Sequence, residues 1–138
     1  MQKNRHNFYL LIHNIAKPKN VGTIIRTAAA FDVKKVFLLS KDPEKKKKSK
    51  AFKSFGLKFG AHGTEKKVDY HFFYNVDEAV KYFKENNICI CGIEIGEKAK
   101  SVAEQPFDRD TVFIPGNEGD GKTGSVLIRI APEVKVCL

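Results

Sequence analysis

An α/β fold on a parallel sheet is predicted for this 138-residue chain by two patterns: short, continuous apolar runs, and amphipathic stretches of helical period alternating with them. Continuous runs suit strands covered on both faces, which is the condition of a parallel sheet. No internal repeat or linker interrupts the pattern, so the length is that of one domain, and 42% hydrophobic residues supply its core.

The elements follow in order. Residues 8–15 read as the first strand. A helix is expected over 21–31, because Val21, Ile24, Ile25 and Ala28 recur at i, i+3, i+4 and i+7, with Asn20 placed to cap it. Residues 35–39 form the second strand. A long polar passage, 40–69, carries Lys45, Lys46, Lys47, Lys48 and Lys50 with several glycines. A short strand is expected over 70–74 and a helix over 77–86, where Val76, Ala79, Val80 and Phe83 share a stripe. Strands at 88–95 and 111–114, and a further one at 126–130, complete the set.

Composition narrows the partners. Lys plus Arg number 25 against 16 Asp plus Glu, a net charge of +9, which favours a polyanion such as nucleic acid over a basic surface serving solubility alone. No apolar run reaches the roughly 20 residues of a membrane span. The first strand follows Met1 so soon that no leader is expected, which points to the cytoplasm and leaves nuclear and organellar sites open. Cys89, Cys91 and Cys137 lack zinc spacing and read as core residues. His6, His13, His62 and His71 are scattered without ligand spacing, and ordinary surface or hydrogen-bonded roles are expected of them.

Two segments carry chemistry. In Asn20-Val21-Gly22-Thr23-Ile24-Ile25-Arg26, the Asn20 oxygen can meet orphan helix amides, and Gly22 permits close approach to the backbone. Arg26 lies four residues beyond Gly22, on the same face and one turn inside the helix. A cation beside free amides suits a phosphate or a developing oxyanion; a capped helix with a solvated arginine is the plainer reading. The second segment, Gly116-Asn117-Glu118-Gly119-Asp120-Gly121, also follows a strand. Its carboxylates would repel phosphate, so it suits a neutral or cationic ligand such as S-adenosylmethionine, or else serves only as a turn. Both segments should meet at the carboxyl-end rim of one sheet, where open α/β folds build their sites.

Asn20-x-Gly22-x-x-x-Arg26 followed by Ala28-Ala29-Ala30-Phe31, together with Pro115 and the Gly116 to Gly121 loop, resembles the SpoU or TrmH-type RNA ribose 2′-O-methyltransferases of the SPOUT superfamily. Ser54-Phe55-Gly56, Gly60-Ala61-His62-Gly63 and Gly92-Ile93-Glu94-Ile95 are also similar to members of that group. The resemblance spans about residues 8–121. It implies a SPOUT-type parallel sheet flanked by helices, with a carboxyl-terminal trefoil knot, and homodimers that use S-adenosylmethionine without a metal. By motif, Asn20, Arg26 and Glu118 correspond to catalytic positions. Ile93, Glu94, Ile95, Gly116, Asn117, Gly119 and, beyond the second motif, Ile130 correspond to the cofactor lining. Arg26 and the Lys45 to Lys50 run are the expected contacts to tRNA or rRNA, the lysines binding phosphates without reading sequence or forming a solvated loop. Tyr70, Phe72, Phe73 and Tyr74 could stack bases but fit strand packing better.

Two departures stand out. Asp32 occupies a turn position where the family usually has glycine. After Gly121 no Ser-Leu-Asn element follows, so the expectation is a single SpoU-like domain, incomplete after about residue 121, with its knot element missing or altered. A non-catalytic RNA-binding or dimer-forming member, without cofactor binding, is the alternative.

Overall fold

The computed structural model describes residues 5–13, 18–39, 68–93, 107–115 and 134–137, the last as backbone only. Its elements are β1 (Phe8–Ile12), α1 (Pro18–Ala30), β2 (Lys35–Leu39), β3 (Tyr70–Phe73), α2 (Val76–Glu85), β4 (Cys89–Ile93), β5 (Thr111–Pro115) and β6 (Val134–Cys137). The six strands form one sheet in the order β3-β2-β1-β5-β4-β6, and every pairing is parallel.

Strand alternation sorts the apolar residues into two cores. On one face Leu11, Phe37, Phe73, Ile90, Val112 and Ile114 pack with Val76, Ala79 and Phe83 of α2. Phe37 stacks on Phe73 at 5.2 Å between ring centroids and meets Phe83 edge-on at 5.1 Å. On the other face Ile12, Val36 and Leu38 pack with Ile25 and Ala28 of α1. Burying both faces explains why the strand runs are continuous. Cys89 and Cys91 are buried in β4, as core residues should be. Tyr70 and Phe72 pack in the α1 core and Phe73 in the α2 core, so three of the four clustered aromatics serve packing.

Helix ends differ from the sequence reading for local reasons. α1 begins at Pro18, three residues before the expected start, because proline lacks the N–H that a first helical residue would leave unpaired. Asn20 is therefore inside the first turn and is not the cap. α2 begins at Val76 behind Asn75, whose side-chain oxygen accepts from the Glu78 backbone N–H at 2.8 Å. Glu78 answers by accepting from the Tyr74 N–H at 2.7 Å.

β1 and β4 end at Ile12 and Ile93 within the described residues, short of the expected limits. The expected strand at 126–130 lies outside the described residues. The sheet instead gains β6, which pairs with β4 from Ile90↔Val134 to Ile93↔Cys137. Residues beyond 121 thus return to the fold. Segment 116–133, where a knot would be tied, lies outside the described residues.

Candidate functional site

β1 and β5 are adjacent, with Phe8↔Thr111, Tyr9↔Val112 and Leu10↔Phe113 in register. From β1 the chain proceeds to β2 and β3 on one side; from β5 it goes to β6 at the opposite edge. The order therefore reverses between these strands, and their carboxyl ends flank the crevice where open α/β sheets bind ligands. The first motif follows β1, and the second begins after Pro115, the last residue of β5. Two segments ninety residues apart in sequence leave neighbouring strands at one rim.

Clamping the other end of this strand pair is Asp110. Its Oδ1 accepts from the Asn7 backbone N–H at 2.8 Å, and its Oδ2 from Asn7 Nδ2 at 3.1 Å and the Tyr9 hydroxyl at 3.4 Å. The Asn7 backbone bond chiefly holds the Asp110 carboxyl below its usual range, while burial and then the Asp110 charge push Tyr9 up. Nothing in the sequence pattern marked Asp110, because the contact spans 103 positions.

Within the first motif, Gly22, Ile25 and Ala28 are buried, whereas Arg26 is exposed. Four residues apart in the continuous helix α1, Gly22 and Arg26 lie on one face as expected, buried at Gly22 and exposed at Arg26 farther along it. Arg26 is the ninth residue of the helix, more than two turns in, and so stands beyond the first turn where the amide charge acts. Asn20 is half-buried in that first turn. The six-residue interval sets Asn20 and Arg26 about 9 Å apart along the axis and about 120° around it.

At the end of β4, Ile93 pairs with Pro115 and is 40% exposed. Both residues end their strands at the same rim as the end of β1. Glu94, Ile95, Gly116, Asn117, Glu118, Gly119 and Ile130 lie outside the described residues, as do Lys45, Lys46, Lys47, Lys48 and Lys50. Among the described residues no group of three or more His, Cys, Asp or Glu could hold a metal ion.

His13, which follows β1 directly, is a feature that the sequence reading left among ordinary histidines. It is half-buried, and burial pushes its imidazole below the ordinary value. Its place immediately after a strand at the motif rim was the signal available.

Residues 7–137 match the model of the SpoU rRNA Methylase family. The chain belongs to that family. Its fold is that of solved family members. An rRNA methyltransferase from Sinorhizobium meliloti superposes with a TM-score of 0.73 at 17% identity, over 96% of this chain and 47% of that one. The SpoU methyltransferase AviRb from Streptomyces viridochromogenes, solved in complex with the cofactor AdoMet, gives 0.66 at 19% identity, over 99% of this chain and 50% of that one. The TrmH/SpoU tRNA modifying enzyme of A. aeolicus gives 0.68 at 16% identity, over 97% and 64%. This chain thus spans about half to two thirds of their length. No curated protein matches it.

Proposed function

We propose that the chain acts in S-adenosylmethionine-dependent methylation of a ribose 2′-hydroxyl in tRNA or rRNA, as a homodimer in the cytoplasm. The observation that carries this reading is the parallel pairing of β1 with β5, from whose carboxyl ends the two motif segments depart. Family membership and the +9 charge support an RNA substrate.

In this reading Ile93, Glu94, Ile95, Gly116, Asn117, Gly119 and Ile130 line the cofactor pocket, with the exposed Ile93 against the adenosyl part. S-adenosylmethionine supplies the methyl group when bound. The chain's own residues must align the ribose oxygen, receive the RNA backbone and stabilise charge on the attacking atom. Arg26 is exposed, and a guanidinium is a poor proton acceptor but a good partner for an oxyanion. In this reading Arg26 stabilises the nascent 2′ oxyanion and a neighbouring phosphate, and that phosphate or solvent takes the proton. Asn20 and Glu118 order the site around them. Lys45, Lys46, Lys47, Lys48 and Lys50 hold RNA phosphates.

Calorimetry with S-adenosylmethionine, followed by transfer of a labelled methyl group to tRNA or rRNA, tests the reading. Label in alkali-resistant linkages is expected. RNA binding without any cofactor binding would favour the non-catalytic alternative.

A further inference from the structure

The Nδ1 atom of His13 is buried and has no hydrogen-bond partner among the described residues. Buried polar atoms are normally paired, so an orphan of this kind calls for an explanation. An unpaired Nδ1 also constrains where the proton of the ring can sit. β1 pairs with β5 from Phe8↔Thr111 to Leu10↔Phe113 and ends at Ile12, so His13 directly follows the strand at its carboxyl end, on the rim that borders the crevice. On the strand's other side Ile12 pairs with Leu38, so the backbone leading to His13 is fixed from both neighbours.

An imidazole carries one proton when neutral and two when charged. The charged form would bury an N–H at Nδ1 with no acceptor, which agrees with the direction in which burial moves this group. The neutral tautomer protonated at Nδ1 meets the same penalty. The remaining tautomer leaves only a lone pair at Nδ1 and keeps the proton on Nε2. Because the residue as a whole is half-buried, the ring is not sealed from its surroundings.

We propose that His13 is a ribose-binding residue of the crevice, whose Nε2–H donates a hydrogen bond to a ribose hydroxyl oxygen. This rests on the function proposed above. The ribose belongs either to the adenosyl cofactor or to the RNA, since both carry the same hydroxyl chemistry.

Nitrogen-15 NMR of the histidine rings in the 138-residue chain tests it. Without ligand, the His13 ring is expected as the Nε2–H tautomer; an Nδ1–H tautomer would overturn the proposal. S-adenosylhomocysteine, a short single-stranded RNA and the matching DNA are then added separately, with calorimetry on each. A His13 Nε2 shift with S-adenosylhomocysteine assigns the cofactor ribose. A shift with RNA but not with DNA assigns the substrate ribose. Calorimetric binding of either ribose ligand with His13 signals unmoved overturns this proposal alone, whereas no binding of either removes the proposed function and this inference with it. His13→Gln retains a donor near the Nε2 position and His13→Phe does not. The phenylalanine variant should bind the assigned ligand about 3- to 10-fold more weakly, with the glutamine variant near wild type. Equal weakening in two variants that melt like the parent would make His13 merely structural and also overturn the proposal.

Discussion

Arg26 shows how much a side chain's role depends on its place in the helix. Exposure more than two turns in separates it from the amide end of α1 and leaves its planar fork free to meet an extended anion. Arg26→Lys keeps the charge and loses the fork, so methyl transfer should fall by roughly 10-fold or more with little change in cofactor affinity. Retained activity with an unchanged pH-rate profile would dispose of the need for a guanidinium. Asp110 makes a different prediction. Its folded carboxyl titrates below the ordinary value, so its bonds to Asn7 stabilise the protein above that value and are lost as pH falls through the lowered one. The stability advantage of wild type over Asp110→Ala should therefore be full near neutrality and shrink below about pH 4. Denaturant melts across that range would record it, and an advantage independent of pH would reject the ionised clasp. Residue identities in the two motifs were legible in the sequence. Asp110 and His13 were not, because their significance comes from partners and neighbours that only folding supplies.

At the scale of elements, both helices end with the same device. Val33 N–H donates to Ala28 O at 2.9 Å across Asp32, and Ile88 N–H donates to Phe83 O at 2.8 Å across Asn87. Asp32 and Asn87 have φ of 57° and 54°, the left-handed region of a Schellman cap. The family's usual glycine at the Asp32 position is thereby explained: the cap demands a conformation that a side chain resists. Asp32→Gly should stabilise the fold by about 0.5–1 kcal/mol, measured as a raised denaturant midpoint at constant slope. A lowered midpoint would mean that the carboxylate contributes more than the backbone relief. Helical periodicity located α1 and α2 within a few residues, and the errors at their starts trace to Pro18 and Asn75. β6 escaped notice because Val134-Lys135-Val136-Cys137 is a four-residue alternating run rather than a continuous apolar one.

The whole molecule is organised by the reversal of strand order between β1 and β5. Apolar runs predicted a parallel sheet but could not give its order, since strands of similar composition can be permuted without changing the pattern. The order decides which strand ends become neighbours, and the β1 and β5 pairing makes neighbours of the two strands that the motif segments follow. Net charge acts at the same scale. If Lys45, Lys46, Lys47, Lys48 and Lys50 all contact phosphates, replacing them with serine should reduce the logarithmic salt slope of single-stranded RNA binding by up to roughly 3.5. An unaltered slope would remove them from the interface.

The most direct measurement is a distance between spin labels at Thr23, in the first motif, and Glu118, in the second. Cys137 is replaced by serine for this purpose, and the buried Cys89 and Cys91 are left in place. Electron spin resonance should give a distribution centred below about 20 Å, because three residues beyond Pro115 cannot carry position 118 far from the rim. A distribution centred near the domain's full diameter, about 35 Å, would separate the two motifs and contradict a shared site.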